Sequence, residues 1–197
     1  ILNLSDNKIK HIEIANLPNL LELELNFNGL ESVSLKNLPS LRNITLNFNQ
    51  IEDISIKKLP NLYYLSIENN PLSSVELENL PRLWYFSCKK HSLKELKLKN
   101  FPNLERIDIS AGTLESLELN NMPYLDIIWA NDNKLTQVNI ENLKNLQYLN
   151  LNKNLISQIE FNSLPNLKEL KLEYNQLKQL NVENLEGLEI LSIGYNQ

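Results

Sequence analysis

Leu17-Pro18-Asn19-Leu20-Leu21-Glu22-Leu23-Glu24-Leu25-Asn26-Phe27-Asn28 is the stretch on which the reading of the chain turns. Its pattern, Leu-Pro-x-Leu-x-x-Leu-x-Leu-x-x-Asn, returns every 21 residues, starting at Leu17, Leu38, Leu59, Leu80, Phe101, Met122, Leu143, Leu164 and Leu185. No insertion interrupts the period. Eight full units cover 17–184, a partial unit covers 1–16 and another covers 185–197, so one repeat accounts for all 197 residues. A fixed period of this length marks a coil that stacks on its neighbours, because one coil cannot bury its own apolar ring.

Within a unit, Leu23 and Leu25 alternate with Glu22, Glu24 and Asn26. Period-2 alternation gives a strand with one buried face, hence one strand per repeat. A second alternation follows, as in Val33 and Leu35, Ile54 and Ile56, or Val138 and Ile140, with polar residues between them. It predicts a short extended segment on the opposite wall. The stretch between the two is too short for a helix and usually ends in Leu-Pro, so the back of the coil is expected to be helix-poor. The Asn that closes the motif forms a column at positions 7, 28, 49, 70, 133, 154, 175 and 196. A buried Asn offers both donor and acceptor to backbone groups that the inward turn leaves unpaired.

Composition narrows the function classes. The chain is 42% hydrophobic with only four Gly, which suits one dense core, and the expectation is a single domain over 1–197 taken from a longer protein. Its net charge of −5 supplies no bulk positive field for phosphate, so no nucleic-acid partner is expected. A single cysteine, Cys88, excludes an intrachain disulfide. No apolar run is long enough to insert in a membrane.

Units such as Leu164 to Leu177, LPNLKELKLEYNQL, and Leu17 to Leu30, LPNLLELELNFNGL, resemble the leucine-rich-repeat superfamily along the entire chain. The 21-residue length and the nested echo Val33-Ser34-Leu35-Lys36-Asn37 are similar to the bacterial IRREKO subclass and to internalin-like proteins. The resemblance implies a right-handed α/β-type solenoid whose concave side is a parallel β-sheet, with short extended segments on the convex side. It further implies protein recognition on the concave face, as in bacterial surface and secreted proteins. A cytoplasmic location stays open. Two consecutive units depart from the Asn column, at His91 and Gly112, and the core position shrinks at Cys88 and Ala130 nearby, which predicts a locally bent or loosened region.

Reactive groups are few. His91 occupies an Asn position and is expected to imitate Asn, while Cys88 falls in a core-facing register. No nucleophile elbow, phosphate loop, zinc-protease or EF-hand spacing occurs, so neither an enzyme, a metal site nor a cofactor is expected. The sequons Asn3-Leu4-Ser5 and Asn43-Ile44-Thr45 fall on strands and are attributed to the abundance of Asn.

The residues flanking the inward leucines read as outward columns. One runs Glu22, Asn43, Tyr64, Tyr85, Arg106, Ile127, Tyr148, Glu169 and Ile190, and the next Glu24, Thr45, Ser66, Ser87, Asp108, Trp129, Asn150, Lys171 and Ser192. Tyr64, Trp84, Tyr85, Lys89, Arg106, Asp108, Trp129 and Tyr148 are therefore the candidate partner-binding residues, with Tyr64 beside Tyr85 and Trp129 beside Tyr148. The expected partner is another protein, such as a host protein. A glycan, a structural spacer role and a sensor role attached to sequence beyond this segment are the alternatives.

Overall fold

Each alternation folds as its period predicts. In the computed structural model, which describes residues 1–161 and 164–197, the first alternation of each unit becomes a strand on what we call the front wall, two residues long in the first partial unit and three in every later one. The chain falls into two compact units, Ile1–Ser92 and Leu93–Gln197, and the division comes one residue beyond His91. In the first unit the front strands are Leu2–Asn3, Glu22–Glu24, Asn43–Thr45, Tyr64–Ser66 and Tyr85–Ser87. They pair in parallel with a register of one repeat, Leu23 opposite Ile44, Ile44 opposite Leu65 and Leu65 opposite Phe86. In the second unit Arg106–Asp108, Ile127–Trp129, Tyr148–Asn150, Glu169–Lys171 and Ile190–Ser192 pair the same way.

The second alternation gives five-residue parallel strands on the back wall. His11–Ala15 pairs with Ser32–Lys36 and Asp53–Lys57 with Ser74–Glu78 in the first unit. Glu95–Lys99, Ser116–Asn120 and Gln137–Glu141 form a three-stranded back sheet in the second. No helix occurs among the described residues, so each unit is a helix-free leucine-rich-repeat solenoid. One expectation is met only in part: the alternations that follow, Ile159 with Phe161 and Leu180 with Val182, form no strand among the described residues.

The leucine ring is the core. Leu23, Leu25 and Leu30 of one coil lie flush against Ile44, Leu46 and Ile51 of the next, all fully buried. In the second unit Ile128, Ala130 and Leu135 precede Leu149, Leu151 and Ile156 in the same way. Each coil therefore covers the apolar edge of the previous one, at roughly 25 cal/mol per Å² removed from water.

The Asn column holds the corner after the front strand. Asn49 donates from Nδ2 to Leu46 O at 2.9 Å within its own coil and to Leu25 O at 3.0 Å in the preceding one, while its Oδ1 accepts the Leu30 amide at 3.1 Å. Asn70, Asn133, Asn154 and Asn175 repeat the same set. His91, in the same column, is buried as well.

Candidate functional site

The front wall presents its strands' outward side chains in rows one repeat apart. Neighbouring strands in a sheet are about 4.8 Å apart, close to the thickness of two stacked aromatic rings, so like residues in one row can lie face to face. The first unit does this twice. Tyr64 stacks on Tyr85 with ring centres 4.8 Å apart and planes 5° from parallel, and Tyr63 stacks on Trp84 at 5.2 Å and 3°. Trp84 also leans on Tyr85 at 6.2 Å, which joins the two stacks into one patch. Tyr64, Trp84 and Tyr85 are half-buried and Tyr63 is exposed. Lys89, of the same unit, is half-buried.

The second unit carries a different cluster. Trp129 and Tyr148 meet at 6.1 Å with planes tilted by 53°, and the Lys171 ammonium stands 5.1 Å over the Tyr148 ring. Lys171 also donates to Glu169 Oε1 at 2.8 Å and to the Tyr148 hydroxyl at 3.3 Å. The Glu169 contact first, and the Tyr148 hydroxyl second, raise its pKa above the usual lysine value, so it stays cationic through neutral pH. Arg106 is half-buried in this unit.

Asp108 departs from the expectation of an outward, accessible residue. Its parity is outward, yet it is buried, and its Oδ1 accepts the Ser110 hydroxyl at 2.7 Å and the Ser110 amide at 3.2 Å. Ser66 and Ser87 in the same row are buried too, with their hydroxyls donating to Asn47 Oδ1 and Glu68 Oε1. Each of the three shares a hydrogen bond with a side chain of the row beside it, and strand parity alone overstates what solvent reaches.

A second class of exposed aromatic escapes the sequence reading. The residue before each column Asn has a left-handed backbone, with φ of 53° at Phe27, 58° at Phe48, 56° at Tyr174 and 58° at Tyr195. Bulky side chains are rare there, whereas Asp6, Asn69 and Asp132 at the same repeat position suit it. Phe27 and Phe48 stack at 4.4 Å, Tyr174 and Tyr195 at 4.3 Å, and all four are exposed. Sequence reading keyed on Leu and Asn passes over this position, although an aromatic just before the closing Asn was visible. Phe48→Asn exchanges stacking worth about 0.5–1.5 kcal/mol for relief of backbone strain of similar size. Chemical denaturation is expected to show a stability change within about 1 kcal/mol.

The back wall is ionic. Lys10 pairs with Glu31, Lys36 with Glu13, Lys57 with Glu76 and Glu78, Lys94 with Glu115 and Lys99 with Glu118. All of these are solvent-facing pairs of the kind that contribute little stability. Cys88 is buried, and among the described residues no group of three or more His, Cys, Asp or Glu side chains is arranged to hold a metal. No helix among those residues is long and apolar enough to cross a membrane.

Residues 131–177 match the model of the leucine-rich-repeat family. The chain has the leucine-rich-repeat fold. No curated protein matches it in sequence. Solved structures share its fold: the TLR13–ssRNA13 complex (TM-score 0.66, 21% identity, over 94% of this chain), an LRR protein of Leptospira interrogans (0.55, 24%, 92%) and the leucine-rich effector YopM of Yersinia pestis (0.56, 25%, 83%). This leucine-rich-repeat chain spans 32%, 62% and 56% of those three chains, respectively. The first of them corrects the argument from bulk charge. Leucine-rich repeats stand in a complex with single-stranded RNA there, so a net charge of −5 does not by itself rule a nucleic acid out.

Proposed function

We propose that this chain is a non-enzymatic recognition module that binds another protein through the front walls of its leucine-rich repeats. The fold is one that commonly mediates protein binding. The observation that carries the reading is the joined patch of Tyr63, Tyr64, Trp84 and Tyr85 on the front of the first unit. Rings already held against one another lose little freedom when a partner covers them, and Tyr and Trp dominate binding hot spots for that reason. Trp129, Tyr148 and Lys171 supply a second, mixed patch in the other unit.

Stacking also bears on the kind of partner. Sugars stack on free ring faces, whereas Tyr64 and Tyr85 each give one face to the other. The single face that Tyr63 and Tyr64 each keep, with its edge and hydroxyl, offers apolar and polar contacts together, which suit the mixed surface of a protein. The similarity to proteins of Leptospira and Yersinia supports a bacterial surface or secreted origin.

The test immobilises the chain and a Tyr64→Ala/Tyr85→Ala variant of unchanged circular dichroism. Each is offered candidate host proteins, a glycan array and single-stranded RNA. A protein ligand whose affinity falls at least 30-fold in the variant, equivalent to about 2 kcal/mol, is the expected result. Equal affinity for wild type and variant, or retention of glycan or RNA alone, would overturn the reading.

A further inference from the structure

Beside the aromatic patch of the first unit lies an open recess of about 400 Å³, lined by Glu22, Leu23, Glu24, Asn43, Thr45, Tyr63 and Tyr64. Its walls have three properties that together define an occupant. Tyr64 gives one face to Tyr85, and Tyr63 gives one face to Trp84, both in the following repeat. The face each tyrosine keeps is therefore turned to the preceding repeat, where the recess lies. Glu22 and Glu24 sit two residues apart on one strand and so project from the same side of the sheet.

Neutral amides orient both carboxylates. Asn43 Nδ2 donates to Glu22 Oε1 at 3.4 Å and Asn3 Nδ2 donates to Glu24 Oε2 at 2.6 Å, which leaves one oxygen of each carboxylate available. Among the described residues no lysine, arginine or histidine forms an ion pair with either. The contrast with the back wall of the same unit is sharp, since Glu13, Glu31, Glu76 and Glu78 all have cationic partners there. Arg42, which directly precedes the neighbouring strand Asn43–Thr45, is exposed and does not line the recess.

We propose that this recess receives a cationic side chain, arginine or lysine, from the bound protein. The proposal rests on the front wall being the binding surface, and it names the chemistry that the partner brings there. A guanidinium or ammonium entering the recess meets two uncompensated carboxylates and the free faces of two tyrosines, so ion pairing and cation–π attraction act on one group. An acidic side chain meets the same carboxylates as like charges, and a neutral apolar one leaves them without a counterion.

The experiment titrates the isotopically labelled chain with N-acetyl-arginine amide, N-acetyl-norleucine amide and calcium chloride at constant low ionic strength, following backbone amide NMR shifts. The arginine probe is expected to shift Glu22, Glu24, Asn43, Thr45 and Tyr64 selectively, and its affinity is expected to fall at least tenfold in Glu22→Gln/Glu24→Gln. Each substitution keeps the size of the side chain. An equal response to norleucine, a response to calcium alone, no localised shift, or an unchanged response in the double variant would each overturn the proposal. Failure here leaves the front-wall reading standing if Tyr64→Ala/Tyr85→Ala still abolishes protein binding. Loss of both effects removes that reading as well.

Discussion

Replacing Leu149 by Ala is expected to lower the unfolding free energy by about 2–5 kcal/mol. Leu149 is fully buried, and its strand lies between Ile127–Trp129 and Glu169–Lys171, so it packs in the ring that each coil uses to cover the next. Collapse of the cavity would require those strands to close up, but both are held by backbone pairing at the same register. The loss is therefore expected toward the upper part of that range. Urea unfolding followed by circular dichroism measures it, and a change under about 1 kcal/mol would mean that the leucines do not form the core.

Asn154→Ala is the second large effect. The side chain is buried, donates from Nδ2 to Leu151 O and Ala130 O at 3.0 Å each, and accepts the Leu135 amide at 3.0 Å. Truncation leaves a backbone amide and two carbonyls without this partner in a site that water does not enter freely. Each buried group stripped of its partner costs about 1–3 kcal/mol, so a loss of about 2–4 kcal/mol is expected. Asn154→Asp separates the two roles of the side chain, because a carboxylate still accepts the Leu135 amide but cannot donate. It is expected to be destabilising at neutral pH and to recover in part as acid protonates the carboxyl. Thermal or urea unfolding of both variants at two pH values reads this directly, and an unaffected Asn154→Ala chain would show that the column is not structural.

The strands, their one-repeat register, the Asn column and the rows of outward residues were all legible in the sequence. They follow from strict spacing: a period of two sets the face, and a period of 21 sets the neighbour. What spacing does not report is how far a neighbouring row reaches. Asp108, Ser66 and Ser87 have outward parity but are short, and each is buried in a hydrogen bond with a side chain of the row beside it. Nor does alternation guarantee a strand. Ile159 and Phe161 keep the pattern of Val138 and Ile140 but lie in no strand. The aromatic pairs Phe27–Phe48 and Tyr174–Tyr195 were missed because backbone handedness, not hydrophobic period, defines their position.

The pairing of Tyr63 with Trp84, and of Tyr64 with Tyr85, was half visible. Recurrence one repeat apart placed Tyr64 beside Tyr85, but Tyr63 belongs to the row before the strand, where no apolar rule applies. The recess beneath them depends on the same row. Glu22 and Glu24 looked like ordinary solvated strand residues until the rings bordering them were known.

Hydroxyl-radical footprinting of the free chain, read residue by residue by mass spectrometry, tests the direction of these side chains most directly. Tyr63, Tyr124, Tyr174 and Tyr195 are expected to oxidise fastest, Tyr64, Trp84, Tyr85, Trp129 and Tyr148 at intermediate rates, and Phe86 to be protected. Phe86 reacting as readily as Tyr63, or Tyr64 and Tyr85 as slowly as Phe86, would contradict the front-wall surface on which the proposed recognition depends.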